Sequence, residues 1–261
     1  MTPGFWKDRT VFVTGHTGFK GAWLVMLLHH LGARVTGYAL EPPTKPSLFA
    51  AARLDELIVD IRGDVRNFVE VESALCRVEP DIIIHFAAQS LVRASYKDPL
   101  ETYATNILGT AHVLNAARRA APDVVLIATT DKVYAHGEIT RPFREDDPLG
   151  GQADPYSTSK ACAEMVAAQY AKAMGDRCTV LTARAGNVIG GNLLTAGLIS
   201  ATSTVTSAAN LIGNNAIITT IVNAASHTGS IVSVTGNATG GNLLTGGLIS
   251  ATSTVTSAAN L

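Results

Sequence analysis

Between Thr10 and Ala185 two kinds of hydrophobic pattern alternate along the chain. Short, nearly unbroken apolar runs read as strands buried on both faces: Thr10–Thr14, Arg34–Leu40, Leu57–Arg62, Asp81–Phe86, Val124–Thr129 and Thr179–Ala185. Between them, apolar residues return at three- and four-residue steps. That spacing predicts helices over Ala22–Leu31, Val69–Val78, Tyr103–Ala120 and Thr158–Ala173, with a shorter one over Leu48–Leu54. Glu41-Pro42-Pro43-Thr44-Lys45-Pro46 must be a loop, because its prolines remove backbone donors. Strands separated by helices on this schedule predict an α/β fold, a doubly wound parallel sheet with helices on both faces. In such sheets ligands bind at the carboxyl ends of the strands. The polar clusters fall there: Gly15–Gly21, Asp64-Val65, Ala87–Arg93, Thr130–Tyr134 and Gly186–Gly190.

The pattern changes at Gly190-Gly191. Every Lys, Arg, Asp and Glu precedes Gly191, and from Asn192 to Leu261 the only titratable side chain is His227. This second part is a repeat: Gly190–Leu211 and Gly240–Leu261 differ only at Ala196 against Gly246. The segment between the copies is again rich in Ile, Val, Thr, Asn, Ser and Gly. Such material fits a β-solenoid, in which each rung buries its neighbour's apolar side chains. It fits equally an uncharged, β-prone stretch that is disordered or liable to aggregate. Two domains are therefore expected, residues 1–191 and an uncharged β-prone repeat segment over residues 192–261.

Composition narrows the partners. The 261 residues carry a formal net charge of −1 and are 47% hydrophobic, enough for one sizeable core. Near neutrality gives no electrostatic case for nucleic acid or an anionic membrane. Cys76, Cys162 and Cys178 lie far apart, which suits reduced thiols in a cytoplasm rather than a disulfide scaffold or a zinc site. The His29-His30 pair has no carboxylate or Cys at metal-ligand spacing, so no metal is expected. The start of the chain does not read as a secretory leader, and no stretch reaches membrane-spanning length.

The candidate chemistry sits in a few short motifs. Val11–Gly21 passes from an apolar run through Gly15, Thr17, Gly18, Phe19 and Gly21 directly into a helical pattern. Gly15 would permit the tight turn, Gly18 a close approach by a pyrophosphate, and Gly21 close packing of helix on strand. Free N–H groups at the helix start would hold the anion. The spacing is G-x-x-G-x-x-G, which also suits a ligand-free turn. Tyr156 and Lys160 stand four apart, one turn from each other on a helix face. A cation beside the phenol would favour phenolate and make Tyr156 a base; a solvated Tyr and Lys is the plain alternative. Thr130-Asp131-Lys132 follows a strand and could supply a hydroxyl donor, a carboxyl acid and a cation or base, or simply cap a turn. Asp64 could grip an adenine amino group with Val65 against the ring, or cap the next helix. Asn106 is polar inside an apolar helix and could bridge to a neighbouring backbone. His85, in a buried strand, reads as a core histidine.

Together these motifs resemble the extended short-chain dehydrogenase/reductase family of nucleotide-sugar enzymes. Thr14-Gly15-x-x-Gly18-Phe19-x-Gly21, Asp64-Val65, His85-Phe86-Ala87-Ala88-Gln89, Asn106, Tyr156-x-x-x-Lys160 and Arg184-x-x-Asn187 carry the likeness. Within that family, VTGHTGFKGAWL, FAAQSLVRASYKDP, TTDKVY, DPYSTSKACAE and RAGNVIGG are similar to the 4,6-dehydratases. The resemblance covers residues 1–191. It implies a Rossmann-type fold binding NAD through Gly15, Thr17, Gly18, Phe19, Gly21, Asp64, Val65, Ala87, Ala88, Tyr156 and Lys160. It implies a nucleotide-sugar substrate met by Gln89 and Asn187, and it allows a homodimer. The implied reaction is a redox-neutral dehydration, with Tyr156 as base at the sugar 4-hydroxyl and Asp131 as acid at the departing 6-hydroxyl. Thr130 would hold the 4-oxygen, and Lys160 would tune Tyr156 and the cofactor ribose. Related dehydratases carry Glu as the C5 base where this chain has Lys132, so the C5 base stays open between neutral Lys132 and another group. The second strand ends without the usual ribose-binding Asp, leaving Glu41 as a substitute. No Arg follows that strand at a place suited to a 2′-phosphate, so NAD is expected over NADP. An epimerase or another extended reductase is the nearest alternative; Thr130-Asp131-Lys132 argues against a plain epimerase, which needs no acid. A dinucleotide-binding module without turnover, fused to a structural β-repeat, is the non-enzymatic one. Because residues 192–261 offer no Lys or Arg to a substrate pyrophosphate, impaired turnover is expected.

Overall fold

The computed structural model describes residues 4–135, 141–150 and 154–186 in full, and the backbone of four strands between residues 215 and 243. The chain divides into two compact units, Met1–Gly190 and Gly191–Leu261.

The first unit alternates strand and helix: β1 (Thr10–Thr14), α1 (Phe19–His30), β2 (Arg34–Ala39), α2 (Leu48–Ala51), β3 (Val59–Arg62), α3 (Phe68–Val78), β4 (Ile82–His85), α4 (Val92–Lys97) and α5 (Pro99–Tyr103). A π turn, Ala104–Leu108, leads into α6 (Gly109–Ala120), followed by β5 (Val124–Ala128), α7 (Pro155–Met174) and β6 (Thr179–Ala183). The six strands form one parallel sheet in the order β3-β2-β1-β4-β5-β6. This is the doubly wound arrangement expected from the alternation, and its order reverses between β1 and β4.

Alternate residues of the central strands feed two cores. Val11, Val13, Ile82 and Ile84 pack with Val25 and Leu28 of α1 on one face. Phe12 and Ile83 pack with Leu75 of α3 and Val113 and Leu114 of α6 on the other. Both faces being covered is why these strands read as continuous apolar runs rather than as alternation.

Several helices differ from the sequence expectation: α1 starts three residues before Ala22, α2 stops at Ala51, and α5 precedes the expected Tyr103 start. The single helix expected over Tyr103–Ala120 is interrupted at Ala104–Leu108, where the N–H of Gly109 reaches back to the carbonyl of Ala104. The last helix begins three residues earlier than expected, at Pro155. Asp154 caps it by accepting from the Ser157 N–H, and proline is favoured in the first turn because its missing N–H would have no partner there. Helix α4 was not expected at all.

In the second unit, β7 (Asn215–Ile218) pairs in parallel with β9 (Ile231–Val234), and β8 (Ile221–His227) with β10 (Asn237–Leu243). Both pairs have the same offset along the chain, Asn215 opposite Ile231 and Ile221 opposite Asn237. The first repeat copy, Gly190–Leu211, lies outside the described residues, as does the second beyond Leu243.

Candidate active site

The crevice where the strand order reverses is built from the turn after β1 and the loop after β4. Gly15 has φ +74°, and a Cβ on it would stand 2.6 Å from the backbone N of Ala87. A Cβ on Gly21 would stand 2.2 Å from the Gly15 carbonyl oxygen, so this residue packs α1 against the turn itself rather than against the strand, as the spacing had suggested. Among the described residues, neighbours in the chain and in α1 aside, such a Cβ on Gly18 would meet only the Gly15 oxygen, at 3.4 Å. Gly18 is the N-cap of α1, with no side-chain cap and no acidic residue in the first turn. Its N-terminal amides and partial positive charge therefore face the crevice without an internal anion. Phe19 is exposed beside it.

The far side of this turn is braced to β2 and β3. Thr17 Oγ1 donates to the Leu40 carbonyl at 3.0 Å, and Arg62 Nη1 donates to the same oxygen at 3.1 Å. His16, fully buried, reaches over Gly37 to bond Asp60 at 2.8 Å; a Cβ on Gly37 would stand 2.4 Å from its ring. Burial pushes the His16 imidazole below its usual range, against the pull of Asp60. Arg62 pairs with Asp60 at 2.8 Å and with Glu41 at 3.6 Å. A guanidinium thus stands near the end of β2, brought there from β3 opposite Ala39 and already paired with two acids.

Asp64 follows β3, but its carboxylate is gripped by Arg66, whose Nε and Nη2 lie 2.8 and 2.6 Å from one oxygen and whose N–H lies 2.9 Å from the other. Those bonds hold Asp64 below the usual carboxylate range. The cap of the next helix is Asn67 rather than Asp64. Val65 is buried against Gly109, the first residue of α6.

On the β4 side, Ala87 donates its N–H to Thr14 Oγ1 at 3.1 Å, and Ala88 lies next to it, partly buried. The Gln89 side chain turns into its own loop. Its oxygen accepts from the Leu91 N–H at 2.7 Å, and its nitrogen donates to Thr102 Oγ1 at 2.9 Å and the Leu91 carbonyl at 3.2 Å. The Asn106 side chain pairs with the backbone of Gln89 through both ends, at 2.9 Å each, and donates to Ser159 Oγ at 2.8 Å. The bridging role expected of it is therefore present. Asn187 lies outside the described residues.

After β5, Thr130 caps a short 3-10 turn, Asp131–Val133. Its hydroxyl donates to Asp131 at 3.0 Å and accepts from the Lys132 N–H at 3.4 Å. Asp131 is exposed and lines a cavity of about 390 Å³ with Tyr134, Phe143, Glu145, Thr182, Ala183 and Arg184. Tyr156, in the first turn of α7, is buried with its phenol at the Thr130 hydroxyl, which donates to Asp131. Burial pushes its phenol up; the Thr130 hydroxyl opposes this, and Asp131 and Asp154 add to it. Lys160 is fully enclosed, donates to the Ala128 carbonyl at 3.0 Å, and is pushed down to about 8, chiefly by burial and then by Lys20. The lysine thus binds the end of β5 rather than lowering the phenol, contrary to the sequence expectation.

Three further residues belong here, each inside a stretch quoted above but with no role assigned to it there. Glu164 is buried one turn beyond Lys160 and accepts from Thr129, from Thr182 at 2.9 Å and from Arg184 at 3.1 Å. Ser95 accepts from the Tyr156 N–H at 3.2 Å, and Lys20 Nζ reaches the Gly186 carbonyl at 3.1 Å. Their partners lie far apart in sequence, so spacing could not reveal them. Among the described residues, no group of His, Cys, Asp or Glu could hold a metal ion, and no helix is long and apolar enough to cross a membrane.

Comparison with known proteins gives a consistent set of relatives. Residues 11–216 match the model of the NAD dependent epimerase/dehydratase family. The chain is 45% identical over 195 residues to the CDP-glucose 4,6-dehydratase of Salmonella typhimurium, covering 72% of this chain and 54% of that protein. It is 32% identical over 177 residues to the dTDP-glucose 4,6-dehydratase of Streptomyces antibioticus, covering 63% and 50%. The solved UDP-glucose 4-epimerase of Thermus thermophilus, in complex with NAD, superposes with a TM-score of 0.60 at 27% identity, covering 67% of this chain and 54% of that one. The chain spans about half the length of the curated relatives it matches.

Proposed function

The chain belongs to the NAD dependent epimerase/dehydratase family, and from that premise we propose that it is a nucleotide-sugar 4,6-dehydratase acting on CDP-glucose with NAD. The product would be CDP-4-keto-6-deoxyglucose, and the setting cytoplasmic nucleotide-sugar metabolism serving polysaccharide biosynthesis. The observation that carries the reading is the place of Tyr156 at the Thr130 hydroxyl, which itself donates to Asp131 at 3.0 Å at the carboxyl end of β5. A carboxyl acid beside the phenol is what loss of a 6-hydroxyl needs and what simple epimerisation does not.

The crevice fits a dinucleotide. The turn at Gly15 lies against the Ala87 backbone, α1 opens uncapped at Gly18, and among the described residues a Cβ on Gly18 would meet only the Gly15 oxygen, in ordinary contact. Gly15, Thr17, Gly18, Phe19 and Gly21 would hold the pyrophosphate, with Ala87 and Ala88 as the opposite wall. Asp64 and Val65 would border the adenine, and Lys160 the ribose beside the nicotinamide. NAD, when bound, supplies a reversible hydride acceptor for the sugar. Tyr156 would accept the proton of the sugar 4-hydroxyl while Thr130 holds that oxygen. Asp131 would protonate the 6-hydroxyl as water leaves. Removal of the C5 proton falls to Lys132 in its neutral form or to a group outside the described residues. Gln89 and Asn187 would face the substrate. Burial holds the proton on Tyr156, and positive charge supplied by bound NAD would favour its release.

The whole chain incubated with NAD and a panel of CDP-, dTDP-, UDP- and GDP-sugars tests the reading. Slow formation of the 4-keto-6-deoxy sugar from CDP-glucose, abolished by Tyr156→Phe, is expected. Interconversion of sugar epimers without loss of water would assign an epimerase instead. NAD binding by calorimetry with no turnover of any sugar would leave a dinucleotide-binding module.

A further inference from the structure

Beneath the crevice runs a chain of buried hydrogen bonds that the proposed chemistry does not use. Ala87 N–H donates to Thr14 Oγ1 at 3.1 Å, Thr14 Oγ1 lies 2.7 Å from His85 Nδ1, His85 Nε2 lies 3.1 Å from Thr110 Oγ1, and Thr110 Oγ1 donates to the Asn106 carbonyl at 2.7 Å. Thr14, His85, Asn106 and Thr110 are all buried, none more than 1% exposed.

Counting hydrogens fixes the direction of the chain. A threonine hydroxyl has one proton. That of Thr110 goes to the carbonyl four residues back, the usual helical back-bond, so Thr110 Oγ1 must accept from His85. His85 therefore carries its proton on Nε2, which leaves Nδ1 as an acceptor. Thr14 must then give its own proton to Nδ1 while accepting from Ala87. Every donor and acceptor is satisfied in this one arrangement. The opposite tautomer would set two acceptors face to face at Thr110 and take from the Thr14 hydroxyl its acceptor at Nδ1.

We propose that His85, locked as the neutral Nε2–H tautomer, is a positioning residue. It ties the Gly15 turn through Thr14 and Ala87 to the π turn of Asn106. Asn106 in turn holds the Gln89 backbone and Ser159, and Ser159 donates to the Tyr156 carbonyl at 2.6 Å. The cofactor turn and the first turn of α7 are thus registered to each other through one imidazole. Its weight in catalysis rests on the function proposed above; the tautomer and the coupling do not.

Nitrogen-15 NMR of the full chain, labelled at histidine, reads the first part. A His85 ring protonated at Nε2 and unchanged from about pH 5.5 to 8 is expected, and an Nδ1–H tautomer or a titration in that range would overturn the proposal. Amide exchange reads the second. Thr110→Val removes the acceptor, and exchange at Ala87 and Gln89 should quicken about tenfold. Thr110→Ser keeps the hydroxyl and should stay within about twofold of the parent, and strand β6 should be unaffected in both. Equal exchange in the Val and Ser variants would sink the coupling. Calorimetry with NAD adds the link to function: weaker binding in Thr110→Val than in Thr110→Ser is expected. If the parent binds no NAD, the cofactor reading fails while the NMR and exchange results still decide this one.

Discussion

Individual side chains in the crevice have their proton affinities shifted by burial and by their partners, and this has measurable consequences. Lys160 binds its proton less tightly in the folded chain, at about 8 against 10.5. Its unfavourable contribution is therefore full below about pH 8 and fades as pH rises toward 10.5. Lys160→Met should raise the Tm of the ligand-free protein at neutral pH by roughly 2–4 °C, with the gain shrinking near pH 10, while NAD binding is lost. A variant less stable than the parent in both conditions would rank the bond to Ala128 above the burial cost. Glu164 poses the opposite case. Its three donors include the Arg184 guanidinium, so Glu164→Gln leaves that charge without its counter-ion. A loss of about 2–4 kcal/mol in urea unfolding is expected. Neither role could be inferred from the sequence. Tyr156 and Lys160 were legible because four-residue spacing on a helix is local. Their electrostatics were not, because groups that decide them come from α1, from the end of β5 and from the turn after it.

Among the elements, the strands were the most legible part of the chain. Val11–Val13 and Ile82–Ile84 are buried on both faces, so their apolar runs mark them directly. The interruptions were harder to see. The π turn at Ala104–Leu108 keeps helical spacing in sequence and differs only in which amide meets which carbonyl. At the start of α7 the apolar spacing begins at Thr158, while the cap and first-turn proline, Asp154-Pro155, set the true start and place Tyr156 on the helix. That position makes the cap matter for the site. Asp154→Ala removes the acceptor for both the N–H and the hydroxyl of Ser157 and should cost about 1 kcal/mol. Amide exchange should show the loosening confined to the first turn of α7. Gly21→Ala tests the other helix start. Its Cβ would meet the Gly15 carbonyl, which is backbone and cannot swing aside. NAD binding should fall below detection by calorimetry, with a stability loss of about 1–3 kcal/mol.

At the scale of the whole molecule, the change of composition at Gly191 falls at the boundary between the two compact units. Removing residues 192–261 and finding the rest soluble, with an unchanged circular dichroism signal per residue for the sheet and helices, would mark the first unit as self-sufficient. Precipitation would make the tail part of its fold. The uneven distribution of charge has a further consequence for acid. In the first unit, His85 is pushed down to about 3 by burial, and Asp64, Asp147 and Glu164 are all held below their usual range. Each contributes stability that is present above its unfolded value and lost as pH falls through the folded one. For His85 the loss begins near 6.5; for the carboxylates it begins near 4. The second unit has only His227 to protonate. Acid is thus a selective solvent for this chain: between about pH 3 and pH 4 it should melt one unit in a calorimeter while the other's transition, if it has one, stays where it was at neutrality.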